Sequence, residues 1–225
     1  MASAIRYPWR QNSLVFEERA DEYDSWFENS LLFDIELAAL QQVIAAKPRP
    51  RVEIGVGPGR FAERLGMDIG IDPAPAALRL AAKRGITPMA GIGEEIPLAD
   101  GMAGTVFLLF TLCFLASPKT VFTECHRILQ PNGQIVVGFI PARSAWGKMV
   151  ARKKAARHPY YQRALCRTVA ETVHLLKQTG FTILEGCSTL YQQPDAISQF
   201  EEPRSGTDEN AGFCVLTATR RNSDR

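Results

Sequence analysis

The sequence predicts an α/β domain with a mostly parallel sheet covered by helices on both faces. Three observations carry this. Strand-like and helix-like segments alternate from residue 51 onward. Thr105–Phe110 is apolar almost throughout, as a strand buried on both faces must be. The first strand-like segment leads through a glycine-rich turn into a helix. At 225 residues the chain fits one domain with a sizeable core.

Each element has its own signal. Residues 14–46 read as a helix, with Tyr23, Trp26 and Phe27 clustered and Leu31, Ile35, Leu37, Leu40 and Ile44 at helical spacing. Lys47-Pro48-Arg49-Pro50 breaks it. Strands follow at 51–54, 67–71 and 86–90, the third interrupted by Pro88. Helices at 59–65 and 75–84 separate them, stopped by Gly66 and Gly85. After the apolar strand, Ser117-Pro118 opens a helix to Leu129, with Ser117 as its N-cap. Gln130-Pro131-Asn132-Gly133 is a turn, and 134–140 a fifth strand. Thr168-Val169-Ala170-Glu171 is a capping box for a helix closed by Gly180. Strands at 181–184 and 213–219 bring the total to seven.

Bulk properties exclude several classes. A net charge of +2 is too small to argue for nucleic acid. The longest apolar run, 106–116, is too short to span a bilayer, and the start of the chain lacks a signal-peptide apolar core. Five scattered cysteines form no metal-ligand spacing and no disulfide framework. A cytoplasmic protein without a metal is expected.

The turn Gly55-Val56-Gly57-Pro58-Gly59 lets the backbone bend sharply and lets a ligand approach with no Cβ in the way. Alone it does not distinguish a dinucleotide, a nucleoside or an empty turn. A dinucleotide fingerprint places its third glycine where this chain has Arg60, and Gly59 comes early instead. With Glu53 before it, Glu53-x-Gly55-x-Gly57-x-Gly59 resembles motif I of the class I S-adenosylmethionine-dependent methyltransferases, most closely the type 11 group. Asp72 ends the second strand seventeen residues after Gly55, where a carboxylate can accept from both ribose hydroxyls or cap the next helix. Ile69-Gly70-Ile71-Asp72-Pro73 resembles motif II of that family. Gly91-Ile92-Gly93-Glu94-Glu95-Ile96-Pro97-Leu98 resembles its next signature.

The resemblance implies a Rossmann-like seven-stranded sheet with the last strand antiparallel, and S-adenosyl-L-methionine as cofactor. It implies that the glycine loop (Gly55, Val56, Gly57 and Gly59) lies beneath the cofactor and that Glu53 supports the loop or meets the cofactor's amino end. Asp72 and Pro73 then border the ribose. The family's adenine-binding acidic position holds Ile92 here, so adenine falls to backbone near Gly93 and Glu94, or to Glu94 itself. Thr111 faces the methionine part. Arg127-Ile128-Leu129-Gln130-Pro131-Asn132-Gly133 resembles the family's structural turn before the fifth strand.

Residues 1–225 are expected to form a single methyltransferase domain, with 1–47 as a helical cap and 141–167 as a basic helical insertion over the acceptor pocket. Tyr23 reads either as a lid over the cofactor or as part of a packing face. The insertion carries eight Arg or Lys and no acidic residue, interleaved with Trp146, Tyr160 and Tyr161. It reads as a recognition surface for an acidic acceptor or as a solvated helix. Ser144-Ala145-Trp146-Gly147 and the Tyr160-Tyr161 pair resemble a pattern in some type 11 proteins. The expected reaction is in-line methyl transfer to a small-molecule acceptor, with no nucleic acid partner. The alternatives are an NAD-dependent oxidoreductase and a non-catalytic adenosylmethionine-binding module. No general base stands out among His126, His158 and His174. Neither the loop of adenine amino-methylating enzymes nor a Pro-Cys nucleophile is present.

Overall fold

The computed structural model describes residues 8–44 and 47–221. The last two residues of the expected N-terminal helix and the head of the chain read for targeting signals lie outside these. The elements are α1 (Pro8–Glu18), α2 (Ala20–Ser25), α3 (Leu31–Ile44), β1 (Arg51–Ile54), α4 (Arg60–Leu65) and β2 (Ile69–Asp72). Then come α5 (Pro75–Lys83), β3 (Thr87–Ala90), β4 (Ala103–Leu109), α6 (Pro118–Ile128), β5 (Leu129–Phe139) and α7 (Ala145–Ala155). The chain closes with α8 (Val169–Gln178), β6 (Phe181–Thr189), β7 (Arg204–Ser205) and β8 (Phe213–Arg220).

The strands form one sheet in the order β3-β2-β1-β4-β5-β8-β6-β7. The first five are parallel, and β8 runs antiparallel to both β5 and β6. This is the expected Rossmann-like architecture. It has eight strands rather than seven, because two residues of the 204–205 segment pair with β6. Alternate residues of β4 enter opposite cores. Phe107 and Leu109 pack under α3 and α4, while Val106 and Leu108 pack under α6 and α8. That two-sided burial explains the unbroken apolar run.

The single helix expected over 14–46 is three. Arg19 leaves helical geometry at φ −130°, ψ 36°, and Asn29 adopts φ +49°. Ser30 then restarts the chain: its hydroxyl accepts from the Phe33 N–H at 3.2 Å and its carbonyl from the Asp34 N–H at 3.1 Å. Asn tolerates the left-handed region and Ser is a preferred N-cap. Ser117 occupies the N-cap position of α6, but its hydroxyl bonds the Thr120 hydroxyl at 2.7 Å and caps no backbone group. The expected turn at 130–133 is a bulge within β5. Leu129 already pairs with Ala103, pairing resumes at Thr105 with Gln134, and Asn132 has φ +62°. The Thr168 capping box forms with Glu171.

Candidate functional site

The carboxyl ends of β1, β2 and β4 converge on the glycine turn. Gly55 and Val56 both donate to the Ile71 carbonyl, at 2.7 and 3.1 Å, which folds the turn back onto β2. Gly55 and Gly57 have φ +76° and +52°. A Cβ on Gly55 would collide with the Thr111 side chain. The Thr111 hydroxyl in turn donates toward the Ile54 and Leu109 carbonyls, each at 3.1 Å, and ties the ends of β1 and β4. At Gly57, where a Cβ would meet nothing nearer than the Tyr23 ring at 3.9 Å, the floor is bare backbone open to a ligand.

Asp72 closes one side. Its Oδ2 accepts from the Gly57 N–H at 2.9 Å and its Oδ1 from the Ala74 N–H at 2.8 Å. It does not cap α5, whose N-cap position is Ala74. Burial raises the carboxyl to about 6 against the pull of those two bonds, with the Glu17 charge adding to the rise. Each oxygen keeps acceptor capacity, since an ionised carboxylate offers about four lone-pair sites.

A cavity of about 800 Å³ opens over this floor. Of the residues expected from sequence, Gly55, Gly57, Asp72, Pro73, Ile92, Gly93, Glu94, Thr111 and Tyr23 line it. Glu53, Val56 and Gly59 do not. Val56 packs into the space left by Gly70, where a Cβ would lie 2.7 Å from its methyl. Gly59 is the left-handed N-cap of α4, and its missing Cβ lets α4 approach Ala81 of α5. Glu53 is buried behind the turn, pushed well above the ordinary carboxyl range by burial and by the Asp72 charge. Its Oε2 has no hydrogen-bond partner.

Glu94 faces the same cavity, with its Oε1 accepting from the Ser117 N–H at 3.3 Å. Ile92 bridges to Glu95 across a tight turn, and a Cβ on Gly93 would press on Val121. The N-terminal helices complete the wall through Trp9, Asn12, Ser13 and Phe16. Sequence reasoning did not single these out, because α1 has no apolar stripe facing a core of its own.

A second cavity, of about 1000 Å³, shares Phe16, Tyr23, Phe110 and Phe114 with the first. It is lined by Trp26, Phe27, Phe33, Trp146, Tyr160 and Tyr161, with Glu36 among the few polar groups. Tyr23 lies between the two, edge-on to Phe16 at 5.1 Å, to Trp26 at 5.3 Å and to Phe27 at 5.3 Å. Tyr160, from the 141–167 segment, meets Trp26 at 4.6 Å and donates to the Arg19 carbonyl at 3.3 Å. Of the eight basic side chains of that segment, six are exposed and Arg167 alone lines the aromatic cavity.

Arg60, which stands where a dinucleotide turn has glycine, holds α2 down. Its guanidinium grips Asp24 with two bonds of 2.7 Å and reaches Glu28 at 2.9 Å. Arg84 joins Asp24 at 2.9 Å and donates to the Pro58 carbonyl at 2.7 Å. Burial would raise the Asp24 carboxyl, but the bonds and charges of Arg60 and Arg84 outweigh it and hold it below the ordinary value. The clamp joins the helix bearing Tyr23 to the glycine turn. Neither Asp24 nor Arg84 carried a motif, so their partnership was not legible.

The Ser144-Ala145-Trp146-Gly147 pattern has structural roles. Ser144 caps α7 by accepting from the Gly147 N–H at 3.0 Å. Gly147 sits against the Pro141 and Ala142 carbonyls with no room for a Cβ. The Trp146 ring covers Gly212 and donates to the Gln192 carbonyl at 3.0 Å. His126 stacks edge-on to Phe181 at the far end of α6, away from both cavities. Among the described residues, no group of three or more His, Cys, Asp or Glu could hold a metal ion.

The residues present suit an adenosyl cofactor carrying an amino-acid tail. Bare backbone at Gly57 and the spare acceptor capacity of Asp72 offer what such a group needs, a floor without a side chain and acceptors for hydroxyls.

Comparison with known proteins agrees. A family model described as a methyltransferase domain matches residues 52–137. An uncharacterized protein of Mycobacterium tuberculosis is 36% identical over 203 residues, which cover 88% of this chain and 71% of that protein. An uncharacterized protein of Methanocaldococcus jannaschii is 33% identical over 208 residues, covering 92% and 98%. A SAM-dependent methyltransferase of Thermotoga maritima, named as a possible histamine N-methyltransferase, superposes with a TM-score of 0.86 at 30% identity, over 93% of this chain and 100% of that one. A chain from the complex of the Haloferax volcanii Trm112 methyltransferase activator with a methyltransferase gives 0.68 at 18% identity and shows the fold alone.

Proposed function

This chain belongs to the type 11 group of class I S-adenosylmethionine-dependent methyltransferases, and from that premise we propose that it is an enzyme that methylates a small molecule seated in the aromatic cavity. The observation that carries the reading is the pair of adjoining cavities. One is floored by Gly55, Gly57 and Asp72; the other is walled by rings; and Phe16, Tyr23, Phe110 and Phe114 border both.

When bound, S-adenosyl-L-methionine supplies a methyl group on a sulfonium, electrophilic without a metal and transferred by in-line displacement. The chain's own residues bind, orient and exclude water. Asp72 accepts from the ribose hydroxyls with the lone pairs that Gly57 and Ala74 leave free. Gly55 and Gly57 let the methionine part lie on backbone. Glu53 stands behind the turn and supports it from below. Ile92, Gly93 and Glu94 flank adenine, and Thr111 shapes the wall between the cavities. Val56 and Gly59 hold the turn's shape.

Residues 8–44 act as a cap clamped by Asp24, and 141–167 as the cover of the acceptor cavity. Together they exclude water and hold the acceptor in place, a contribution worth about 7–11 kcal/mol in favourable intramolecular cases. No helix among the described residues is long and apolar enough to cross a membrane. The five free thiols suit a reducing, cytoplasmic setting.

Calorimetric titration with S-adenosylmethionine, S-adenosylhomocysteine and NAD tests the reading. Binding of the first two and not of NAD is expected. Tight NAD binding without either adenosyl ligand overturns it.

A further inference from the structure

We infer that the aromatic cavity takes an amine with an apolar, ring-bearing body, and that the carboxylate of Glu36 holds its nitrogen. This rests on the adjoining cavity being the cofactor site. Glu36 stands on α3 between Ile35 and Leu37, both fully packed, yet it lines the cavity. It is 8% exposed. No described residue donates a hydrogen bond to its carboxyl, and burial alone pushes its pKa well above the ordinary range. A buried carboxyl without a donor is costly, and apolar residues serve a helix core better at such a position. A ligand that brings its own N–H donors removes that cost.

The surroundings select the rest of the ligand. Tyr23, Trp26, Phe27 and Tyr161 offer ring faces and edges to an apolar body and to a cation. Of these, Tyr23 and Tyr161 lie close enough to Glu36 to feel its charge. The cavity's guanidinium, Arg167, donates to the Leu165 carbonyl, and its charge falls on Cys113, Cys166 and Glu171 rather than on Glu36. An acidic acceptor brings a charge but no N–H donor to the Glu36 carboxyl, so the exposed basic side chains of the cover do not select for one.

The test uses the S-adenosylhomocysteine-saturated protein, titrated calorimetrically with 2-phenylethylamine and tryptamine, and with 2-phenylethanol and 3-phenylpropanoate as neutral and acidic isosteres. The amines should bind about tenfold more tightly or better, as expected for a charge-assisted hydrogen bond. Glu36→Gln should abolish that preference while leaving the S-adenosylhomocysteine affinity as it was. The wild-type preference stands as evidence however the variant folds. Equal or tighter binding of the alcohol or the acid, no binding of either amine at millimolar concentration, or a preference that survives in Glu36→Gln overturns the inference. Failure of S-adenosylhomocysteine itself to bind overturns the cofactor reading as well, and is seen first.

Discussion

Replacing Asp72 with Asn separates the two jobs assigned to this carboxyl. Its oxygens already hold the Gly57 and Ala74 N–H groups. Asn keeps one acceptor oxygen and turns an NH₂ toward the other N–H, at a cost of about 1–3 kcal/mol for one unsatisfied donor. Against this, the rise from 3.8 to about 6 means that the fold disfavours the anion, by about 3 kcal/mol at 1.36 kcal/mol per pH unit. Asn removes that penalty. The two nearly cancel, so thermal stability at neutral pH should hold or rise.

Binding behaves differently. Two ribose hydroxyls lose a charged acceptor, at about 1.5 kcal/mol or more each, which weakens S-adenosylhomocysteine by roughly a hundredfold. The pH sign follows from the raised pKa. The stability penalty of ionising Asp72 is absent below 3.8, grows as pH rises toward 6 and is constant above. Cofactor affinity runs the other way, strengthening as pH rises through about 6. Thermal denaturation and calorimetry from pH 5 to 8 check both. An Asn variant with unchanged affinity, or a wild type whose affinity is flat across pH 6, refutes the ribose role and leaves Asp72 as a brace between the turn and α5.

Further consequences follow from the same site. Asp24→Ala strips the carboxylate from Arg60 and Arg84, both largely buried, and should cost about 3 kcal/mol in chemical denaturation. Because the Asp24 carboxyl is held below its ordinary value, the clamp's contribution is present above pH 3.8 and is lost as pH falls through its folded pKa. The same variant should release S-adenosylhomocysteine faster in stopped flow, since α2 carries Tyr23. Gly57→Ala meets only the Tyr23 ring, at 3.9 Å, so its φ of +52° should cost about 1 kcal/mol of stability, while cofactor affinity falls much further because the new Cβ fills the cavity floor. Burial raises the thiols of Cys113, Cys125 and Cys187, so native protein should react slowly with a thiol reagent at pH 8 and all five cysteines rapidly once unfolded.

The parts legible in the sequence share a local cause. The glycine turn, Asp72, Gly66 and the Thr168 capping box each express a backbone demand that few residues meet, so the residue types reveal the geometry. The two-faced burial of β4 is equally local, since seven consecutive buried residues leave no periodicity to misread. The rest depends on long-range contacts. Asn29 and Ser30 marked the break before α3, but no Gly or Pro interrupts the apolar spacing there. Strand β7 is two residues long and exists because β6 lies beside it. Glu36 sits at a core register among apolar neighbours, and its exposure to a cavity depends on α2 and the 141–167 segment folding over it. The clamp of Asp24 joins residues 36 and 60 positions apart, a pairing that only the folded chain brings together.

A crystal structure of the protein grown with S-adenosylhomocysteine decides where the cofactor sits. The ligand should lie in the cavity floored by Gly55 and Gly57, with both ribose hydroxyls on Asp72, the amino-acid end over the glycine turn, and the sulfur toward the wall of Tyr23 and Phe110. Ligand bound elsewhere, or a ribose that leaves the Asp72 oxygens to Gly57 and Ala74 alone, contradicts that placement.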